Sequence, residues 1–95
     1  MARRVRIVVK EVEGVCAAGY RPGDEIVFED FCLVSSSRRV CIHALSAIQT
    51  VVYALLKGLT PRELGIGDEE RGYLQCPDPG PPYTRGGRVL FEVVL

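Results

Sequence analysis

The sequence predicts a single α+β domain of β-β-α-β-β order, one amphipathic helix on a small antiparallel-rich sheet. Three observations carry that expectation. Ninety-five residues with 47% hydrophobic and 25% charged side chains fit one globular domain with a thin core. Val5, Ile7 and Val9 recur at the period of a strand near the start, and Val89 to Leu95 is a β-branched and apolar run near the end. Between them, one stretch repeats its apolar residues at helical spacing.

Arg3 to Val12 sets Val5, Ile7 and Val9 against Arg4, Arg6 and Lys10, as in a strand with one wet face. Glu13 to Asp24 holds Gly14, Gly19 and Pro22-Gly23, turn chemistry that marks a loop carrying Cys16. Glu25 to Phe31 is β-branched and aromatic and reads as the second strand, with Cys32 at its end. Ser35, Ser36 and Ser37 then precede the helix, and Ser37 is the expected N-cap.

At 100° per residue, Cys41, Ala44, Leu45, Ile48, Val52, Leu55 and Leu56 fall on one side of that helix. Arg39, His43, Ser46, Thr50, Tyr53 and Lys57 fall on the other. The polar stripe argues against a membrane span in the uncharged stretch Val40 to Leu56. Gly58 suits the left-handed position after the helix, and Thr60-Pro61-Arg62-Glu63 has capping-box spacing for one short turn. Arg71 to Cys76 reads as a third strand and Arg88 to Leu95 as a fourth, joined through the stiff Cys76-Pro77-Asp78-Pro79-Gly80-Pro81-Pro82. The fourth is apolar on both faces, so Leu90 and Val94 need a cover, either the Tyr83 to Gly87 segment or a second subunit. A two-fold homodimer through this strand is the expected assembly.

Twelve basic and twelve acidic residues cancel, which removes any global field toward nucleic acid or anionic membrane. Arg3, Arg4, Arg6 and Lys10 form a cationic stripe, but no aromatic residues interleave it, and RNA contact is the weakest of the readings. No Asn, two Gln, one Met and ten Arg against two Lys match the amide-poor profile of thermophile proteins, as would a GC-rich genome. The basic, strand-like start has no apolar signal segment, so the expected location is the cytoplasm.

Four cysteines separated by 16, 9 and 35 residues contain no Cys-x-x-Cys knuckle. Metal binding, disulfides and plain burial as small hydrophobes all remain open at this point. Cys41 is the leading candidate for a ligating or reactive sulfur, since it opens the helix beside Arg38 and Arg39. Its helical phase instead points it toward the core. His43 lies about 200° from Cys41 around a helix, which argues against a Cys–His dyad. Acidic Asp24-Glu25, Glu29-Asp30 and Asp68-Glu69-Glu70 read as solvated turns, and no nucleotide or hydrolase signature is present.

Cys16 before a Gly-Asp turn, Cys41 opening an Ala-bearing helix, and Cys76-Pro77-Asp78-Pro79 followed by Val89-Leu90-Phe91-Glu92-Val93 resemble an uncharacterised family of short bacterial and archaeal proteins with spaced cysteines. The resemblance covers most of the chain and carries no activity. It implies a small soluble protein whose Cys16, Cys41 and Cys76 can meet in one site. Apart from the resemblance, the turn positions of Cys16 and Cys76 and the helix-start position of Cys41 allow a metal site in space, with Cys32, Asp78, His43 or water as its fourth ligand were zinc to bind. A structural or metal-binding cysteine site is therefore the leading expectation. A small thiol enzyme and a protein- or RNA-interaction module are the alternatives.

Overall fold

The computed structural model describes residues 4–14, 19–76 and 88–95. Their elements in chain order are β1 (Arg4–Glu13), β2 (Glu25–Glu29), β3 (Cys32–Ser36), α1 (Ile42–Leu56), β4 (Arg71–Gln75) and β5 (Arg88–Val94). The fold is α+β, one helix on an antiparallel sheet of order β3-β2-β1-β5-β4. No helix among the described residues is long and apolar enough to cross a membrane.

The sheet has one strand more than the sequence predicts, and the addition is β3. Glu29 and Cys32 face each other across a two-residue turn whose central residues, Asp30 and Phe31, have φ of 52° and 66°. Positive φ at both positions is the signature of a type I′ hairpin turn, normally announced by Asn-Gly or Asp-Gly. Asp-Phe gives no such signal, so the strand beyond it reads as a run of capping serines. A side chain with a Cβ is strained in that region by about 1–2 kcal/mol. Here the Phe31 ring gains contact with Tyr53 at 5.5 Å, and the Lys57 ammonium lies over both rings at 5.4 and 5.7 Å.

β1 buries Val5, Ile7 and Val9 as expected. A bulge then intervenes: Val9 pairs with Phe91 but Glu11 with Leu90, leaving Lys10 as the extra residue. That one-residue slip changes the phase of the strand and brings Val12 opposite buried Val89. β5 supplies Val89, Phe91 and Val93 to the core and is hydrogen-bonded to β1 on one side and β4 on the other. It is an interior strand, so the edge pairing expected of Val93 to Leu95 is not available to it.

The helix starts later than expected. Its N-cap is Cys41, with φ −71° and ψ 137°, and makes no side-chain cap. Ser37 instead extends the β2–β3 pair: its N–H donates to the Glu25 carbonyl at 2.8 Å, and its Oγ accepts from the Glu25 N–H at 2.9 Å. Ala44, Ile48, Val52 and Leu55 are buried on the predicted face, Leu45 is half-buried, and His43 and Lys57 are exposed. Gly58, at φ 110°, ends the helix in a Schellman arrangement, its N–H on Leu55 and the Leu59 N–H on the Ala54 carbonyl. The Thr60 capping box forms as predicted. Glu63 N–H donates to Thr60 Oγ1 at 3.1 Å and Thr60 N–H to Glu63 Oε1 at 3.2 Å.

Two aspartates hold the turns around this framework. Asp24 accepts from the Arg21 N–H at 2.9 Å and from the Arg38 guanidinium, tying the loop before β2 to the approach to the helix. Asp68 accepts from the N–H groups of Glu70 and Arg71, both at 2.8 Å. The Arg21 amide and then the Arg38 guanidinium hold Asp24 below its ordinary value of 3.8, and the Glu70 and Arg71 amides do the same for Asp68. Both carboxylates thus bind fewer protons folded than unfolded. Their stabilisation is complete above the unfolded value and is lost as pH falls through the lower folded values. Acid titration of the melting temperature should therefore show a decline beginning near pH 4 that flattens in an Asp24→Asn, Asp68→Asn double variant; an unchanged slope would contradict it.

Candidate functional site

In an antiparallel sheet of order β3-β2-β1-β5-β4, the alternate strands β3, β1 and β4 run the same way. All three therefore leave the sheet at one end. β3 leads from there to Cys41, five residues on, and β4 leads directly to Cys76. Both cysteines are half-buried and packed against the same core cluster, Cys76 with its N–H on the Val89 carbonyl at 3.0 Å. β1 leads from the same end toward Cys16. Cys16 and Asp78 themselves lie outside the described residues.

Tyr20 organises this end of the molecule. Its ring is 5% exposed and stands edge-on to Phe91, centroids 6.2 Å apart at 83°. Its hydroxyl accepts from the Cys41 N–H at 3.0 Å and lies 3.4 Å from the Arg39 carbonyl as donor. The N–H of the cap residue, which no intrahelical carbonyl can serve, is thereby satisfied from the core side. Tyr20 was not among the sequence candidates. The signal available was an aromatic residue with a polar tip inside a Gly- and Pro-rich loop, a residue type that buries its ring and seeks a partner for its hydroxyl. Tyr20→Phe should lower stability by about 1–3 kcal/mol and speed alkylation of Cys41 as the helix start loosens. Urea unfolding and thiol kinetics check this, and wild-type values in both would refute the assigned role.

The remaining candidates are dispersed. Cys32 is exposed at the start of β3, opposite Glu29, and the strand carries the chain away from it toward the end where Cys41 and Cys76 sit. His43 is exposed, and no hydrogen bond joins it to Cys41 among the described residues; its carbonyl accepts from Ser46 Oγ at 2.9 Å. Cys41 packs against the core as expected, but as the N-cap it does so from outside the helix, so helical phase is not the reason. Cys32 and Cys41 carry free thiols, and the described residues contain no cluster of three or more His, Cys, Asp or Glu able to hold a metal.

On the sheet face away from the helix, the cationic stripe is partly neutralised. Arg6 faces Glu25 at 3.6 Å, while Glu92 receives Lys10 at 3.5 Å and Arg71 at 3.1 Å, with the Tyr73 hydroxyl 3.4 Å away. Exposed ion pairs of this kind stabilise little, but they leave fewer free cations for a phosphate backbone. The acidic turn is likewise engaged, Glu69 with Arg62 at 3.2 Å and Asp68 with backbone amides.

The described residues define an α+β fold with one helix on its sheet and with Cys41 and Cys76 half-buried at one end of that sheet. No protein-family model, curated protein or solved structure matches the chain.

Proposed function

We propose that this is a small cytoplasmic cysteine-site protein in which Cys16, Cys41 and Cys76 form one site that is structural or metal-binding rather than catalytic. The observation that supports this reading is the shared direction of β1, β3 and β4, which sends the chain toward all three cysteines from the same end of the sheet. Zinc is the metal that suits the donors, since three thiolates and a fourth ligand make a closed tetrahedral set. Asp78, close to Cys76 in sequence, is the favoured fourth ligand; Cys32 opens β3 at the opposite end of the sheet, and His43 is exposed on the first turn of α1. Cys41 suits ligation because it stands at the N-cap without making a side-chain cap, where the positive end of the helix favours a thiolate.

Native mass spectrometry of protein purified without added metal or reductant tests the site. One zinc per chain, with Cys16, Cys41 and Cys76 protected from alkylation and Cys32 reactive, is the expected result. A metal-free chain with every thiol equally reactive would overturn it. A mass lighter by two hydrogens would replace the metal with a disulfide.

A further inference from the structure

The two edges of the sheet are treated differently. β4 is covered on its outer side by its own chain: Gly67 bridges to Gly72, the Tyr73 N–H donates to the Ile66 carbonyl, and the Asp68 N–H to the Arg71 carbonyl, both at 2.9 Å. The approach is so close that a Cβ on Gly67 would lie 2.0 Å from the Arg71 carbonyl oxygen. β3 pairs only with β2 among the described residues, and all five of its residues are exposed. Its sequence, Cys32-Leu33-Val34-Ser35-Ser36, contains none of the charges or prolines that commonly blunt an edge. The one irregularity is a bulge at Val34.

An apolar patch adjoins this edge. Phe31, Leu33, Val34 and Tyr53 are 52%, 48%, 53% and 57% exposed. Leu33 pairs with buried Phe28 and so shares its helix-side face. There a groove of about 150 Å³ opens between the hairpin and α1, with Phe28, Phe31, Val52 and Tyr53 among its walls. It exists because α1 packs over β1 and β4. A helix about 10 Å across does not extend over β3, which lies two strand spacings, roughly 10 Å, beyond β1.

We propose that β3 pairs antiparallel with β3 of a second copy, joining the two sheets into one. The chemistry of the edge selects this occupant. In a two-fold pairing each residue of the edge meets another residue of the same short strand, so an edge of one charge repels itself, whereas Cys32 to Ser36 carry no charge. The two helices then lie on the same side of the joined sheet, and Phe31, Leu33 and Tyr53 of both copies line one hollow across the seam, with the Lys57 ammonium of each copy over its own Phe31 and Tyr53 rings. A standard stable interface hides about 800 Å² per partner. The half-exposed side chains, with aromatic rings of about 200 Å² each, and the strand backbone supply roughly half of that. Assembly is accordingly concentration-dependent.

Sedimentation velocity from low to high micromolar concentration tests the pairing. The expected result is a two-chain mass at the upper end. A Leu33→Lys, Val34→Lys variant should shift the monomer–dimer midpoint upward about tenfold or more, with its circular dichroism retained because both positions are exposed. Phe31→Gly provides a second route, since glycine accepts the left-handed turn while removing a wall of the hollow; it too should weaken the dimer. Leu90→Glu, on the opposite sheet face, should leave it intact. A single-chain mass for the wild type at every concentration would overturn the proposal. So would a dimer unaffected by the Lys pair and Phe31→Gly, or one dissolved by Leu90→Glu.

Discussion

Phe91→Ala should lower the stability of the fold by about 3–5 kcal/mol, the largest effect expected of any single substitution here. Phe91 is fully buried at the centre of β5, paired with Val9 on one side and Leu74 on the other. Truncation removes a large apolar surface and leaves a cavity that two hydrogen-bonded neighbouring strands cannot collapse to fill. It also removes the ring against which Tyr20 stands, loosening the hydroxyl that serves Cys41. For a domain of this size, total stability is on the order of 5–14 kcal/mol, so the variant keeps little margin. At about 4–8 °C per kcal/mol, thermal unfolding should move down by at least 12 °C. A shift of only a few degrees would mean that the centre of the sheet is not packed as described.

Ile48→Ala should cost about 2–5 kcal/mol, while Leu45→Ala, one turn away, should cost clearly less. Both residues are apolar and both fall on the side of the helix assigned to the core by periodicity. Ile48 is fully buried beneath α1, whereas Leu45 is half-buried and lines the groove beside β3. The comparison therefore measures where the helix ends its coverage of the sheet. Chemical denaturation of the two variants checks it, and equal losses would show that the helix sits closer to β3 than described.

Most elements follow from local chemistry. The alternation of Val5, Ile7 and Val9, the helical spacing of Ala44, Ile48, Val52 and Leu55, the glycine at position 58 and the Thr60–Glu63 spacing each act within a few residues. Local forces decide such features, and they are legible in a sequence for that reason. β3 was not legible. Its turn uses Asp30-Phe31, a pair whose strained backbone is compensated by Tyr53 and Lys57 from the helix, more than twenty residues along the chain. The start of the helix has the same character: three serines offered local caps, yet Ser37 bonds to Glu25 and Tyr20 reaches from a distant loop to the Cys41 N–H.

By itself the sequence determined the fold class, the buried face of the helix, its C-terminal stop and the inward face of the first strand, because periodicity and capping are properties of neighbouring residues. Only the tertiary structure decided the strand order. That order makes β5 interior rather than an edge, leaves β3 as an edge with no outer neighbour among the described residues, and turns β1, β3 and β4 out at a common end. Which strands become neighbours depends on how the apolar faces of elements far apart in sequence fit together, and no local pattern encodes that fit.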